Sequence, residues 1–214
     1  MFSKFRKDKE PGDGAVGEKS QRTSRGWKEI LDHLKTSEGL RVLDFGATSP
    51  PNINYLTSLG HSVYMANIVQ DSTRAEYWAV AEDAAPNAKP VFDADRFATG
   101  NFDFSQKDFD VILLWDTANY LPPSVVPALF DRLGKVLRPD GRLLAFFHGK
   151  ADGPGTSFSR YQLTDTDNLI MLSSGHYPVQ GLYQTRQIEK FLQGYSSIRF
   201  FLGKDNVREV TAVR

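Results

Sequence analysis

An acidic side chain, a glycine and two hydroxyl side chains lie close together in the chain, at Asp44, Gly46, Thr48 and Ser49. Gly46 lets a ligand approach the backbone closely, because a Cβ would occupy ligand volume. The two prolines after Ser49 are tolerated at the start of a helix, whose first N–H groups and dipole favour an anion. The hydroxyl groups can donate further hydrogen bonds to that anion. The segment therefore predicts a binding site at a strand-to-helix turn.

The flanking residues predict the elements that hold this turn. Arg41–Phe45 is a short apolar run typical of a buried parallel strand, a helix follows as far as Gly60, and residues 61–68 form a second strand. Further predicted strands and helices follow along the chain. The last two apolar or alternating segments, within residues 197–213, are typical of an antiparallel hairpin. We expect an α/β fold with a single Rossmann-like, doubly wound sheet of seven strands, mostly parallel with a C-terminal antiparallel hairpin. Such a sheet binds ligands at the carboxyl ends of its strands.

Two other regions carry weaker periodicity. Residues 1–25 are polar and lack a periodic apolar face, so we expect a disordered N-terminal arm ahead of one domain that spans residues 26–214. Residues 72–84 are predicted to form a helix, which the following prolines end. The third strand is then expected to be short, near Val91 and Phe92.

Residues 42–46 resemble motif I of the class I S-adenosylmethionine-dependent methyltransferases, in which two hydrophobic residues precede Asp-x-Gly-x-Gly-x-Gly. Thr48 and Pro50 stand at the second and third glycine positions, so the glycine motif is degenerate. Later segments resemble the family in the same order. The pair Asp93-Ala94 follows the third strand, a Phe-Asp-hydrophobic run opens the fourth, and a helix and a turn lead into the fifth.

This resemblance implies S-adenosyl-L-methionine as the cofactor. Asp44 would orient the glycine loop or meet the cofactor's amino group through water, and Asn67 stands where the family usually has an acidic residue for the ribose hydroxyls. Asp93, with Asp95 as its rival, would face the adenine amino group. Three residues after the fourth strand would line the floor near the sulfonium or the substrate. The full set of cofactor-binding candidates is Asp44, Gly46, Ala47, Thr48, Ser49, Asn67, Ile68, Asp93, Ala94, Trp115, Asp116 and Thr117.

Methyl transfer from a sulfonium depends mainly on positioning and on exclusion of water, because the donor carries its own leaving group. A general base is needed only when the acceptor must lose a proton. His148, just after the fifth strand, is the candidate for that base; the alternative is a surface or capping residue. Residues 148–183, the lid segment, contain His176 and are expected to cover the acceptor pocket. The alternative is an ordinary hairpin packed on the sheet edge.

Composition narrows the classes of function. The 214 residues include 26 basic and 26 acidic side chains, so no net field would attract nucleic acid or an anionic membrane. The sequence contains no cysteine and no cluster with metal-ligand spacing, so neither thiolate chemistry nor a metal is expected. We expect a cytoplasmic methyltransferase whose partner is a small-molecule acceptor. Two alternatives stay open: a non-catalytic cofactor-binding or regulatory module with the same fold, and a dinucleotide-binding oxidoreductase, which the missing glycines disfavour.

Overall fold

The computed structural model of the chain describes residues 19–80, 87–104, 108–151, 157–203 and 205–214. Its strands are β1 (Lys19–Thr23), β2 (Arg41–Phe45), β3 (Ser62–Ala66), β4 (Trp78–Ala79), β5 (Val91–Phe92), β6 (Phe109–Trp115), β7 (Leu137–His148), β8 (Ser159–Gln162), β9 (Asn168–Ser173), β10 (Ser197–Leu202) and β11 (Val207–Val213). Its helices are α1 (Arg25–Thr36), α2 (Pro50–Ser58), α3 (Ile68–Ser72), α4 (Ala94–Asn101), α5 (Thr117–Tyr120), α6 (Val126–Val136) and α7 (Thr185–Phe191), with a 3₁₀ turn at Ala75–Tyr77.

The main sheet has six strands in the order β10-β11-β7-β6-β2-β3. The four strands from β7 to β3 are parallel, whereas β11 pairs antiparallel with β7 and β10 pairs antiparallel with β11. Strand β6 is central and almost wholly buried, which explains its apolar run from Val111 to Trp115. The predicted mixed α/β class with a central, mostly parallel sheet is confirmed.

Helices cover both faces of this sheet. On one face α1 and α2 bury Trp27, Ile30 and Leu56, and strands β8 and β9 add Tyr161 to the same cluster. On the other face the second cluster draws on α3 to α7 and includes Leu129 of α6. A separate three-stranded antiparallel sheet, in the order β1-β9-β8, therefore lies on the α1 side of the main sheet.

The predicted count of seven strands is wrong, because the third predicted strand leaves the main sheet. Val91 and Phe92 do form a strand, β5, but it pairs antiparallel with β4 in a two-stranded sheet. The helix predicted over residues 72–84 is also wrong as far as residue 80; residues 81–84 lie outside the described residues. Aromatic packing accounts for both errors. Trp78 packs edge-on against Phe92 at 5.1 Å, and Tyr77 packs against Phe97 at 5.0 Å.

The expectation of a disordered arm is wrong for its last seven residues. Lys19–Thr23 form β1, which pairs with β9, and Arg25 begins α1. Arg22 is buried because its guanidinium pairs with Glu209 at 2.6 Å and stacks over the ring of Phe146. A polar strand is stable here because its one inward charge has a partner. Residues 1–18 of the predicted arm lie outside the described residues.

Candidate active site

The topology of the main sheet places a crevice between β2 and β6. From β2 the chain proceeds outward to β3 on one side, and β6 later proceeds to β7 on the other. Such a switch point separates the two connections, and ligands of open α/β sheets bind there, outside the carboxyl ends of the strands. Asp44 lies near the end of β2 and Trp115 at the end of β6, so two of the predicted site residues flank this crevice.

The turn after β2 is built as the sequence predicts. The Ser49 hydroxyl accepts from the backbone N–H of Asn52 at 3.4 Å and caps α2, whose first turn contains both prolines. The backbone N–H of Gly46 donates to the carbonyl of Ala66 at 2.9 Å, which ties the turn to the end of β3. A Cβ placed on Gly46 would meet no atom within 4 Å, so this backbone faces open space. Ala47 is half-buried and Thr48 is exposed at the mouth of the same space.

Asp44 itself is only 1% exposed, and both of its carboxylate oxygens accept hydrogen bonds from the protein. The indole Nε1 of Trp115 donates to Oδ1 at 2.6 Å, and the amide Nδ2 of Asn52 donates to Oδ2 at 3.0 Å. Burial raises the pKa of Asp44 to about 6, against the lowering effect of these two hydrogen bonds. The motif carboxylate is thus held by neighbouring side chains within the fold.

Trp115 reaches Asp44 through an unusual backbone conformation. Its φ is 51°, in the left-handed region that bulky residues avoid, and the β6–β7 register shifts between Leu113 and Trp115. The indole stacks on the ring of Tyr161 with centroids 4.8 Å apart and planes 16° apart, and it meets Phe146 edge-on. Tyr161 belongs to β8, so the lid segment inserts an aromatic side chain beside the crevice.

Below this stack, four buried polar side chains form a continuous network. Oδ2 of Asp116 accepts from the Tyr161 hydroxyl at 2.9 Å and lies 3.1 Å from Nε2 of His148, which in turn lies 3.1 Å from the Tyr120 hydroxyl. Burial, followed by the Asp116 charge, raises the pKa of both tyrosines well above 10. Oδ1 of Asp116 is buried and has no hydrogen-bond partner among the described residues. The structure thus brings Asp116 and His148 together, with His148 only 2% exposed.

Two asparagines that the sequence analysis did not single out connect the lid segment to the main sheet. Asn52 donates to the carbonyl of Tyr161 and accepts from the N–H of Leu163, both at 2.9 Å. Asn119 accepts from the N–H of His148 at 3.0 Å and donates to the carbonyl of Gly181 at 2.7 Å. The position of Asn52, one helical turn beyond the cap, is the sequence signal that could have marked it, because that face of the helix turns back towards the strand end.

The remaining cofactor-binding candidates lie outside this network. Asn67 caps α3 by accepting from the N–H of Gln70 at 3.4 Å, and Asp93 caps α4 by accepting from the N–H of Arg96 at 3.0 Å. Asp93 is exposed, as is its rival Asp95. The other three candidates differ in exposure: Ile68 and Thr117 are buried, and Ala94 is half-buried.

The lid segment contains β8 and β9, an antiparallel pair that β1 extends to three strands. It presents Phe158 and Tyr161 to the core, whereas His176 is exposed. The guanidinium of Arg160 donates to the carbonyl of Thr48 at 3.3 Å, so β8 also contacts the turn after β2. Residues 152–156 of the segment lie outside the described residues.

Comparison with known proteins identifies the family. The profile of the methyltransferase domain matches residues 19–192 of the chain. The chain belongs to this methyltransferase family. Among curated proteins there is no match. The resemblance to class I S-adenosylmethionine-dependent methyltransferases, first drawn from residues 42–46, is therefore confirmed.

Three solved structures resemble this member of the family at low sequence identity. TehB from Haemophilus influenzae shares 13% identity with a TM-score of 0.50, over 87% of this chain and 62% of that one. Magnesium protoporphyrin IX methyltransferase from Synechocystis PCC 6803, crystallised with S-adenosylmethionine, shares 17% with a TM-score of 0.48, over 88% and 77%. A methyltransferase from Methanosarcina mazei shares 18% with a TM-score of 0.49, over 86% and 96%. At these identities the likeness concerns the fold.

S-adenosylmethionine is the cofactor that membership of this methyltransferase family implies. The outer part of the crevice fits this cofactor. There is open space above Gly46, and the exposed Thr48 hydroxyl and the start of α2 suit an anionic group such as the cofactor's carboxylate. The inner wall, as arranged, is filled by the Trp115 indole, which takes one oxygen of Asp44. In the described part of the chain, no group of three or more His, Asp or Glu side chains has metal-ligand geometry, and no helix is long and apolar enough to span a membrane.

Proposed function

We propose that this protein transfers a methyl group from S-adenosylmethionine to a small-molecule acceptor. The observation that carries the proposal is the placement of the motif I residues, in a chain of this family, at the switch point between β2 and β6. The cofactor supplies an electrophilic methyl group on a sulfonium that is its own leaving group. The balance of 26 basic and 26 acidic side chains supports a small acceptor over a nucleic acid.

The residues of the crevice divide into two groups under this proposal. Gly46, Thr48 and the N-terminus of α2 would take the amino-acid carboxylate, and Asn67 and Asp93 would take the ribose and the adenine. Asn67 now donates to Oε1 of Gln70 at 3.0 Å, so its amide lies at the helix start and can turn towards a ligand without loss of a core contact. These residues bind and orient; none of them needs to exchange a proton.

The second group, Asp116, His148 and Tyr120, would face the acceptor. His148 would hold the proton that a hydroxyl or N–H acceptor releases, and Asp116 would keep its ring in place. The buried, unpaired Oδ1 of Asp116 supports this role, because a buried carboxylate oxygen without a donor is costly and an acceptor O–H or N–H would satisfy it. Residues 157–183 of the lid segment would exclude water, since Phe158 already packs on Tyr120 and the Tyr161 hydroxyl already donates to Asp116.

A second candidate function is a cofactor-binding or regulatory module without turnover. Two observations favour it: both oxygens of Asp44 are occupied by protein donors, and Thr48 and Pro50 replace two motif glycines. The two functions share the cofactor and differ in the acceptor step.

Calorimetric titration with S-adenosylmethionine, S-adenosylhomocysteine and NADH tests the proposal, with Gly46→Ala as the informative variant. We expect the two adenosyl compounds to bind and NADH not to, and Gly46→Ala to weaken binding about tenfold, because its methyl group enters the ligand space. Gly194→Ala is the matched control, since its φ of 102°, like the 158° of Gly46, disfavours a side chain while a Cβ there also meets no atom within 4 Å, and the residue lies between α7 and β10. Binding of NADH alone, or no binding at millimolar cofactor by folded protein, would contradict the proposal.

A further inference from the structure

Resting on the proposed function, we propose that Trp115 is a latch on the inner wall of the cofactor crevice. In the structure its indole is hydrogen-bonded to Asp44 and stacked on Tyr161. Binding of an adenosyl cofactor would require the indole to leave Asp44. The latch is thus defined by three residues, Asp44, Trp115 and Tyr161, drawn from β2, β6 and the lid segment.

The position of the latch carries the inference. Asp44 and Trp115 flank the single switch point in the six-stranded sheet, where a ligand of this fold binds. The bond between Nε1 and Oδ1 spans the crevice at 2.6 Å, and Trp115 and Tyr161 are only 3% and 2% exposed. Because Asp44 is only 1% exposed beside the indole, a ligand would reach its inner carboxylate oxygen only after the indole had moved.

The backbone at Trp115 shows that this arrangement is held against a local preference. Three non-glycine residues of the described chain have a positive φ: Trp115, Asp140 and Asn206. Asp and Asn tolerate the left-handed conformation through local hydrogen bonds, whereas a tryptophan does not. The stack and the hydrogen bond must therefore stabilise a conformation that the residue would otherwise leave. Strained conformations of this kind cluster at active sites, ligand clamps and switch regions.

Opening of the latch would also reach the lid segment. Tyr161 is fixed at three points: its ring stacks on Trp115, its hydroxyl donates to Asp116, and its carbonyl accepts from Asn52. Because Asn52 also holds Asp44, the same asparagine links the carboxylate to β8. Departure of the indole removes one support of Tyr161, so cofactor binding and the position of β8 become coupled.

The direct test is nuclear magnetic resonance of the protein labelled with ¹⁵N-tryptophan. The chain has three indole N–H groups, and all three donate: Trp27 to the carbonyl of Thr166, Trp78 to that of Ser72, and Trp115 to Asp44. We expect titration with S-adenosylhomocysteine to shift the Trp115 resonance and to speed its exchange with solvent. The Trp27 resonance is an independent reporter of the lid segment, because its N–H donates to the carbonyl of Thr166 in that segment. The variant Trp115→Phe assigns the signal.

Affinity provides the second measurement. Tyr161→Leu removes the stacked ring, and Tyr161→Phe is the matched control that keeps the ring and loses only the hydroxyl. Apparent affinity is proportional to the fraction of the protein whose latch is open. Loss of the stacked ring should increase that fraction, so we expect Tyr161→Leu to bind S-adenosylhomocysteine at least about threefold more tightly than Tyr161→Phe. Near-ultraviolet circular dichroism verifies that both variants are folded. If Tyr161→Leu does not fold, it is replaced by Trp115→Phe, which removes the donor to Asp44 and should likewise bind the ligand more tightly than Tyr161→Phe.

The outcomes separate the two proposals. If the wild type binds the ligand while the Trp115 resonance stays in place, or if Tyr161→Leu binds no more tightly than Tyr161→Phe, the latch is refuted and the proposed function stands. If neither the wild type nor any variant binds at millimolar ligand, the proposed function and the latch are both refuted.

Discussion

Asp44 should make the stability of the protein fall as the pH rises from about 4 to about 6. Burial raises its pKa from the ordinary aspartate value of 3.8 to about 6. The folded state therefore holds a proton more tightly than the unfolded state. The resulting stabilisation is fully present below the unfolded pKa and is lost as the pH rises through the folded one. A difference of about two pH units corresponds to about 3 kcal/mol.

The variant Asp44→Asn isolates this effect, because asparagine has no charge to bury. It also changes the hydrogen bonds that Asn52 and Trp115 donate to residue 44, but that change adds an offset that does not vary with pH. The quantity to measure is the difference in the free energy of unfolding between wild type and variant. Urea titrations followed by circular dichroism give it at each pH between about 3.5 and about 7.5, a range that includes both the unfolded and the folded pKa of Asp44. We expect the wild type to lose about 3 kcal/mol relative to the variant across this range.

A matched control is Asp131→Asn, which removes a carboxylate paired with Lys135 on the exposed surface of α6. Its difference from wild type should vary by less than about 0.5 kcal/mol over the same range, because exposed ion pairs contribute little. A flat Asp44→Asn difference, or one that changes in the opposite direction, would show that Asp44 is ionised in the fold as readily as in water. The burial of Asp44 beneath Trp115 would then be refuted.

Two further variants test the supports of the site. Glu209→Leu should lower the free energy of unfolding by about 3–5 kcal/mol in urea titrations. It leaves the buried guanidinium of Arg22 without its main partner and removes the acceptor for the N–H of Gly26. A loss below about 1 kcal/mol, the level expected for an exposed ion pair, would contradict this prediction. Asn67→Asp should tighten binding of S-adenosylhomocysteine several-fold in calorimetry, because it adds charge at the proposed ribose position while aspartate caps α3 equally well. Equal or weaker binding would place Asn67 away from the ribose.

Local signals in the sequence predicted the parts of the fold that local interactions determine. The two prolines after Ser49 predicted the start of α2, and Gly60 predicted its end, because backbone preferences act within one turn of the helix. The same holds for β2 and β6, whose apolar runs are typical of strands covered on both faces. The placement of Asp44 and Trp115 at one edge of the sheet followed from those two strands.

The errors arose where a partner lies far along the chain. Strand β1 has no apolar pattern of its own and depends on β9 and on Glu209, which is 187 residues from Arg22. The contact of Tyr161 with Trp115 and Asp116 likewise depends on how the lid segment folds back, and periodicity within that segment predicts only that the tyrosine is buried. The positive φ of Trp115 contradicts the preference of its residue type, so no local rule could predict it.

Cofactor binding, which both candidate functions share, therefore depends on Trp115 more than on the degenerate glycine motif. Thr48 is exposed and Pro50 occupies a helix position that suits proline, so neither substitution fills the space in front of Gly46. The inner wall is closed instead by the Trp115 indole, which is hydrogen-bonded to Asp44 and stacked on Tyr161. If the substituted glycine positions had abolished cofactor binding, opening the latch would not raise the affinity. If the latch alone obstructs the site, the affinity should rise when Tyr161 no longer supports the indole. Comparison of Tyr161→Leu with Tyr161→Phe thus separates a closed site from a lost one.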